Sequence, residues 1–165
     1  MAIEIERKFL VRTGWKPTGS GTFYKQGYVT TPEHGATVRV RIAGDKAFIT
    51  IKGPAVGLSR LEFEYEIPVA DAHLMLAELT IGTVIEKIRY PITYAGHRWE
   101  VDVFQGCNSG LIVAEVELAS PDAHLVLPDW IAEEISHDHR YHNVYLSQHP
   151  WSEWRNEKAS GEHKT

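Results

Sequence analysis

Glu4, Glu6 and Lys8 stand two residues apart in the stretch EIERKF, and the same spacing of charge returns along the whole chain. It recurs as Arg39 and Arg41, as Arg60, Glu62, Glu64 and Glu66, as Lys87 and Arg89, as Glu100 and Asp102, and as Glu115 and Glu117; Lys46 and Lys52 add cations of like parity. In an extended strand, residues two apart share a face, so each set points one way. Most pairs are like-signed. Ordinary surfaces intersperse signs because like charges at close range repel. Segregation makes sense where a ligand supplies the missing charge. Guanidinium and ammonium groups match phosphate oxygens. Carboxylates clustered without cysteine suit a hard, oxygen-seeking divalent cation such as Mg²⁺ or Mn²⁺. The chemistry these residue types could do together is that of a metal–polyphosphate site.

The elements that must position them alternate polar and apolar residues. They are IEIERKFLV (3–11), TFYKQGYVT (22–30), ATVRVRIA (36–43), KAFITIKG (46–53), RLEFEYEIP (60–68), VIEKIRYPI (84–92), HRWEVDVF (97–104) and LIVAEVEL (111–118). The turn-forming stretches PEHG, GD, YAG and CNSG separate several of them. Short links between eight strands predict a mainly antiparallel β (α+β) fold. Two helices are expected: VADAHLMLAEL, with Asp71 as N-cap and Gly82 just past its end, and SPDAHLVLPDWIAEEI, opened by Ser120 and Pro121. Alternation alone also fits a sheet whose charged face is simply solvated. Eight strands suffice to close a barrel and remove its edges. With helices packed on the outside, the charged face would line the interior. Unpaired buried charge is too costly for such an interior to be dry, so it would be a wet tunnel holding a ligand.

The chain has 165 residues, of which 43% are hydrophobic and 24% charged, with a net charge of −5. These totals predict one tunnel domain over residues 1–150 and a polar tail, partly mobile, over 151–165. The negative balance argues against a nucleic-acid partner. No apolar run approaches the roughly 18 residues that a membrane span needs, the start is acidic rather than leader-like, and Cys107 is the sole cysteine. A soluble, cytoplasmic protein is expected.

At this point the residues resemble a known family. EIERK is similar to the E-x-E-x-K signature that opens the CYTH superfamily, the triphosphate tunnel metalloenzymes, and RVR, Lys52 in ITIKGP, EFE, EKIR, EVD and EVE follow in order. The resemblance implies an eight-stranded antiparallel tunnel that binds a triphosphate with divalent metal. By position, Lys8, Arg39, Arg41, Lys52, Lys87 and Arg89 would contact phosphate oxygens. Glu4, Glu6, Glu62, Glu64, Asp102, Glu115 and Glu117 would bind metal, directly or through water. Lys8 and Lys52 match the lysine pair assigned to activating the attacking water, and Tyr28 is a further candidate to touch it. A lysine crowded by cations can shed its proton near neutral pH, which would suit that role.

The short bacterial inorganic triphosphatases are the most similar members, so hydrolysis of inorganic triphosphate to pyrophosphate and phosphate is the leading expectation. A class IV adenylate cyclase, a thiamine triphosphatase and a non-catalytic polyphosphate-binding module are the alternatives. A homodimer would be unsurprising for the family. Near the C-terminus, HDHRYH offers His137, His139 and His142 at ligand-like spacing, while RYHN resembles the family's closing segment, where Arg140 would either reach a terminal phosphate or pack the tunnel mouth.

Overall fold

A computed structural model describes residues 3–162. Among the described residues nine strands form: β1 (Ile3–Val11), β2 (Thr22–Thr30), β3 (Thr37–Ala43), β4 (Lys46–Lys52), β5 (Ser59–Ile67), β6 (Ile81–Tyr94), β7 (His97–Phe104), β8 (Ile112–Glu117) and β9 (Ile131–Glu134). Three α-helices accompany them: α1 (Val69–Glu78), α2 (Asn143–Gln148) and α3 (Trp151–Glu162). The sheet runs β5-β4-β3-β2-β6-β7-β8-β1, and β1 pairs back onto β5 through Ile3↔Leu61 and Glu4↔Arg60. That pairing closes an eight-stranded antiparallel barrel, with β9 laid along the far end of β1.

Register decides which face is inside. Lys8 faces Glu115, Glu4 faces Arg60, Lys52 faces Glu62, Arg41 faces Gln26, and Arg89 faces Asp102, so the charged parities of neighbouring strands coincide around the ring. The apolar parity turns outward and is covered in two places. On β3 and β4, Val40, Ile42 and Ala47 pack against Ala72 and Leu76 of α1. On β1, β7 and β8, Phe9, Trp99, Val101, Ala114 and Val116 lie beneath Ala123, Leu125, Trp130 and Ile131.

That second cover corrects the expected helix over SPDAHLVLPDWIAEEI. Only a turn forms at its start, where the Ala123 amide donates to the Ser120 carbonyl, and Ile131–Glu134 becomes β9. Pro128 explains the difference, since a proline inside a helix removes a donor and clashes with the preceding turn. The first helix stands where expected, but the residue before it is Pro68, and Asp71 sits in its first turn rather than capping it. There its carboxylate complements the positive end of the helix.

One end of the barrel is plugged. Ile85, Phe104 and Val113 share parity with the charged interior residues of their strands, yet pack against Tyr141, Leu146 of α2 and Trp154 of α3. Residues 151–162 of the expected tail are therefore α3, with Trp154 buried; residues 163–165 lie outside the described residues. α2 docks closely on β6: Gly82, at φ 70°, leaves no room for a Cβ beside the Ser147 carbonyl, which also accepts from Thr83 Oγ1. Among the described residues, no helix is long and apolar enough to cross a membrane.

Candidate active site

Above the plug the barrel encloses a cavity of about 650 Å³. Its lining includes Glu4, Glu6, Lys8, Tyr28, Arg39, Arg41, Lys52, Glu62, Glu64, Arg89, Glu115 and Glu117, each of which the sequence placed at the site. The barrel order sorts their signs. β4, β3, β2 and β6 form a contiguous basic wall of Lys52, Arg39, Arg41 and Arg89, interleaved with Tyr24 and Tyr28. β7, β8, β1 and β5 form an acidic wall carrying Glu100, Glu115, Glu117, Glu4, Glu6, Glu62 and Glu64.

Lysines stitch the acidic side together. Lys8 Nζ lies 3.5 Å from Glu115 and 3.9 Å from Glu6, and Lys52 Nζ lies 3.1 Å from Glu4 and 3.4 Å from Glu62. This alters the reading of Lys8. Its ion-pair partners are carboxylates, and although burial and, more weakly, Arg60 disfavour its charge, Glu115 and Glu6 raise its pKa above the ordinary lysine value. In this arrangement Lys8 is a held cation. Glu115 is likewise kept well below the carboxylate range, Lys8 and Arg89 overcoming its burial.

The other carboxylates are crowded. Burial raises Glu4 against the pull of Lys52, with Glu62 adding to the rise, and burial together with Glu115 pushes Glu6 up to about 8. Glu62 Oε2 is buried, with Lys52 Nζ 3.4 Å away as its ion-pair partner and no further hydrogen bond among the described residues. These are hard oxygen donors whose mutual repulsion a divalent cation would relieve, so the donor set fits such an ion. As the side chains stand, no three His, Cys, Asp or Glu among the described residues are grouped to hold one. The lysine ammonium groups bridge the carboxylates instead.

On the basic wall, Arg39 reaches Thr50 Oγ1 at 3.1 Å and Glu64 at 3.4 Å. Arg89 is bidentate to Asp102, at 2.7 and 2.9 Å. Arg41 differs. Its Nε donates to Gln26 Oε1 at 2.8 Å and its guanidinium lies over the Tyr24 ring, 4.8 Å from the centroid, as does that of Arg89. Among the described residues no carboxylate pairs with Arg41. Burial, with Arg39 and Arg89 beside it, pushes Arg41 down to about 9. A cation held among cations is an anion site.

Three expected site residues do not line the cavity. Lys87 and Asp102 are 1% and 0% exposed, beneath the floor: Lys87 Nζ donates to Asp102 at 2.7 Å and to Asn143 Oδ1 at 2.9 Å. Burial pushes Lys87 down to about 7 against the pull of Asp102. With its oxygens engaged by Arg89 and Lys87, Asp102 positions those cations rather than facing a metal. Arg140 is drawn aside by Asp138, which it meets at 2.6 and 2.9 Å, and lies over Trp154. The His137, His139 and His142 motif forms no metal cluster among the described residues; His139 and His142 line the cavity. Burial and then Lys8 push His142 down to about 3, so it is a neutral imidazole.

Sequence reasoning left Arg60, Glu100 and Tyr24 out of the site, although each lines the cavity. Parity was the available signal, since Arg60 alternates with Glu62, Glu100 with Asp102, and Tyr24 with Gln26 and Tyr28.

A closed antiparallel barrel with an acidic and a basic interior wall defines a class of protein built to hold a polyanion together with cations. Comparison with known proteins gives the family: the CYTH domain matches residues 2–145, and the chain belongs to it. It is 44% identical over 156 residues to an inorganic triphosphatase of Acetivibrio thermocellus, covering 94% of this chain and 99% of that protein. It is 41% identical over 147 residues to an inorganic triphosphatase of Nitrosomonas europaea, covering 87% and 96%. The crystal structure of an inorganic triphosphatase superposes with a TM-score of 0.65 at 37% identity, over 89% of this chain and 95% of that one.

Proposed function

We propose that this protein is a divalent-metal-dependent hydrolase that cleaves inorganic triphosphate to pyrophosphate and phosphate. The observation that carries the reading is Arg41, held between Arg39 and Arg89 without a carboxylate partner, opposite a wall of crowded carboxylates. Full-length likeness to two inorganic triphosphatases names the substrate.

Arg39, Arg41 and Arg89 would bind the triphosphate oxygens, with Lys52 at the β4–β5 boundary between the walls and Lys8 within the acidic wall. Glu4, Glu6, Glu62, Glu64, Glu115 and Glu117 would hold Mg²⁺ or Mn²⁺. When bound, that ion supplies charge neutralisation and activation of water. In the hydrolysis, a water oxygen bonds to a terminal phosphorus and gives up a proton to solvent, and the bridging P–O bond breaks. Its electron pair remains on the departing pyrophosphate, where the guanidinium groups meet the new charge. Phosphoryl transfer asks the protein for positioning and electrostatics more than covalent chemistry, and the two walls provide both. Tyr28, which faces Arg39 in the β2–β3 register and lines the cavity, would orient the water. A cytoplasmic setting suits the sole cysteine, Cys107, which is free and exposed.

The test is phosphate release from inorganic triphosphate, ATP and thiamine triphosphate, each with Mg²⁺, Mn²⁺ or EDTA. Metal-dependent turnover of inorganic triphosphate that collapses in Glu4→Gln is the expected result. Turnover confined to ATP with formation of cyclic AMP, or binding without turnover, would replace the reading with the cyclase or the binding module.

A further inference from the structure

Beneath the basic wall runs a buried chain of hydrogen bonds that the site residues do not account for. Gln26, fully buried, accepts at Oε1 from Arg41 Nε at 2.8 Å, and its Nε2 donates to the Tyr28 hydroxyl and to Asn143 Oδ1, each at 3.1 Å. Asn143 Oδ1 also accepts from Lys87 Nζ at 2.9 Å. The directions of these bonds follow from chemistry. Arg41 Nε can only donate, so the carbonyl end of Gln26 must face it and the amide end must face Tyr28 and Asn143. Asn143 must then present its oxygen, which Lys87 also requires. One donor-only group at the head of the chain therefore fixes both amides.

The consequence falls on Tyr28. Its oxygen is already accepting from Gln26, so its own hydrogen points elsewhere. Tyr28 lines the cavity, and among the described residues it has no other hydrogen-bond partner. We propose that Gln26, locked between Arg41 and Asn143, is a positioning residue that turns the Tyr28 hydroxyl hydrogen into the cavity, toward the water or oxyanion held there. Asn143 is the second positioning residue. It stands at the first position of α2, whose far end is anchored to β6 by the Thr83–Ser147 bond, so the plug helix sets the direction of a hydroxyl at the site.

The inference rests on the hydrolase reading for its kinetic arm only. That arm is a double-mutant cycle of Gln26→Leu and Tyr28→Phe, read as kcat with inorganic triphosphate and Mg²⁺. Gln26→Leu should lower kcat at least about tenfold more in the parent than in the Tyr28→Phe background. Any effect passing through Arg41 appears in both backgrounds and cancels. Equal losses in the two backgrounds would overturn the proposal. The second arm needs no turnover: hydrogen exchange of side-chain amides in glutamine-labelled protein. Of Gln26, Gln105 and Gln148, one side-chain amide should exchange slowly and shift in both Tyr28→Phe and Asn143→Asp. Three freely exchanging amides would refute the network even in an active enzyme. A slow amide in a protein that fails to cleave triphosphate would support the network and reject the hydrolase reading. If Gln26→Leu does not fold, the near-isosteric Gln26→Glu enters the same cycle. It keeps an acceptor for Arg41 but has no amide to offer Tyr28, so the same tenfold split is expected and its absence is equally fatal.

Discussion

Replacing Arg41 by lysine keeps the charge and removes the geometry. Arg41 spends Nε on Gln26 at 2.8 Å and lies over Tyr24 at 4.8 Å, which leaves its two terminal nitrogens for a ligand. Lysine can make one point contact with phosphate where the guanidinium fork makes two. One charge-assisted hydrogen bond lost amounts to about 1.5–3 kcal/mol, and the ring contact adds roughly 0.5–1 kcal/mol. The sum, about 2–4 kcal/mol, corresponds to a fall of roughly 30- to 1,000-fold in kcat/KM. The assay is initial-rate phosphate release from inorganic triphosphate, beside calorimetric binding in EDTA, where no turnover obscures affinity. Arg41→Lys within threefold of the parent in both measurements would refute the assignment. It would also revive the alternative that the charged face only meets solvent.

Four further outcomes follow from the structure. Glu6, pushed up to about 8, carries a proton at neutral pH that an ion must displace, so the apparent affinity for Mg²⁺ should rise as pH climbs from about 6 toward that value; Glu6→Gln should weaken metal activation and flatten the dependence. A carboxyl raised above its unfolded pKa contributes stability below that value and loses it as pH climbs through the folded one, so chemical denaturation without metal should show this contribution fading toward pH 8. Asp102→Asn strips Arg89 of its bidentate buried partner and drives Lys87 further toward the neutral amine, and should cost about 3–5 kcal/mol of stability in EDTA, a loss that a mere metal ligand would not show. Phe104→Ala in the plug should cost about 3–5 kcal/mol, read by denaturant midpoint, because the side chain is 2% exposed among Ile85, Val113 and Leu146.

Strand positions and the inward face were legible because alternation is a local property: β1, β2 and β7 begin and end where the pattern does. Depth within the barrel was not legible. Lys87 and Arg89 share a strand face, but only stagger between strands puts Lys87 opposite Phe104, at the plugged end, and Arg89 opposite Asp102. Alternation therefore assigned Lys87 to the ligand when it belongs to the floor. Arg140 escaped for a local reason, since Asp138, two residues earlier, captures its guanidinium. The missed helix boundary had its signal in plain view at Pro128, outweighed by the favourable Ser120–Pro121 start. The acidic half of the cavity becomes contiguous only through the β1–β5 pairing, a contact between residues distant in the chain that no periodicity encodes.

The most direct measurement is ³¹P NMR of inorganic triphosphate incubated with the protein and Mg²⁺ in ¹⁸O-labelled water, with a parallel sample in EDTA. The account predicts equal amounts of pyrophosphate and orthophosphate, with one labelled oxygen incorporated per cleavage and no products in EDTA. Triphosphate left intact with Mg²⁺ and with Mn²⁺, or cleaved equally well in EDTA, would contradict it.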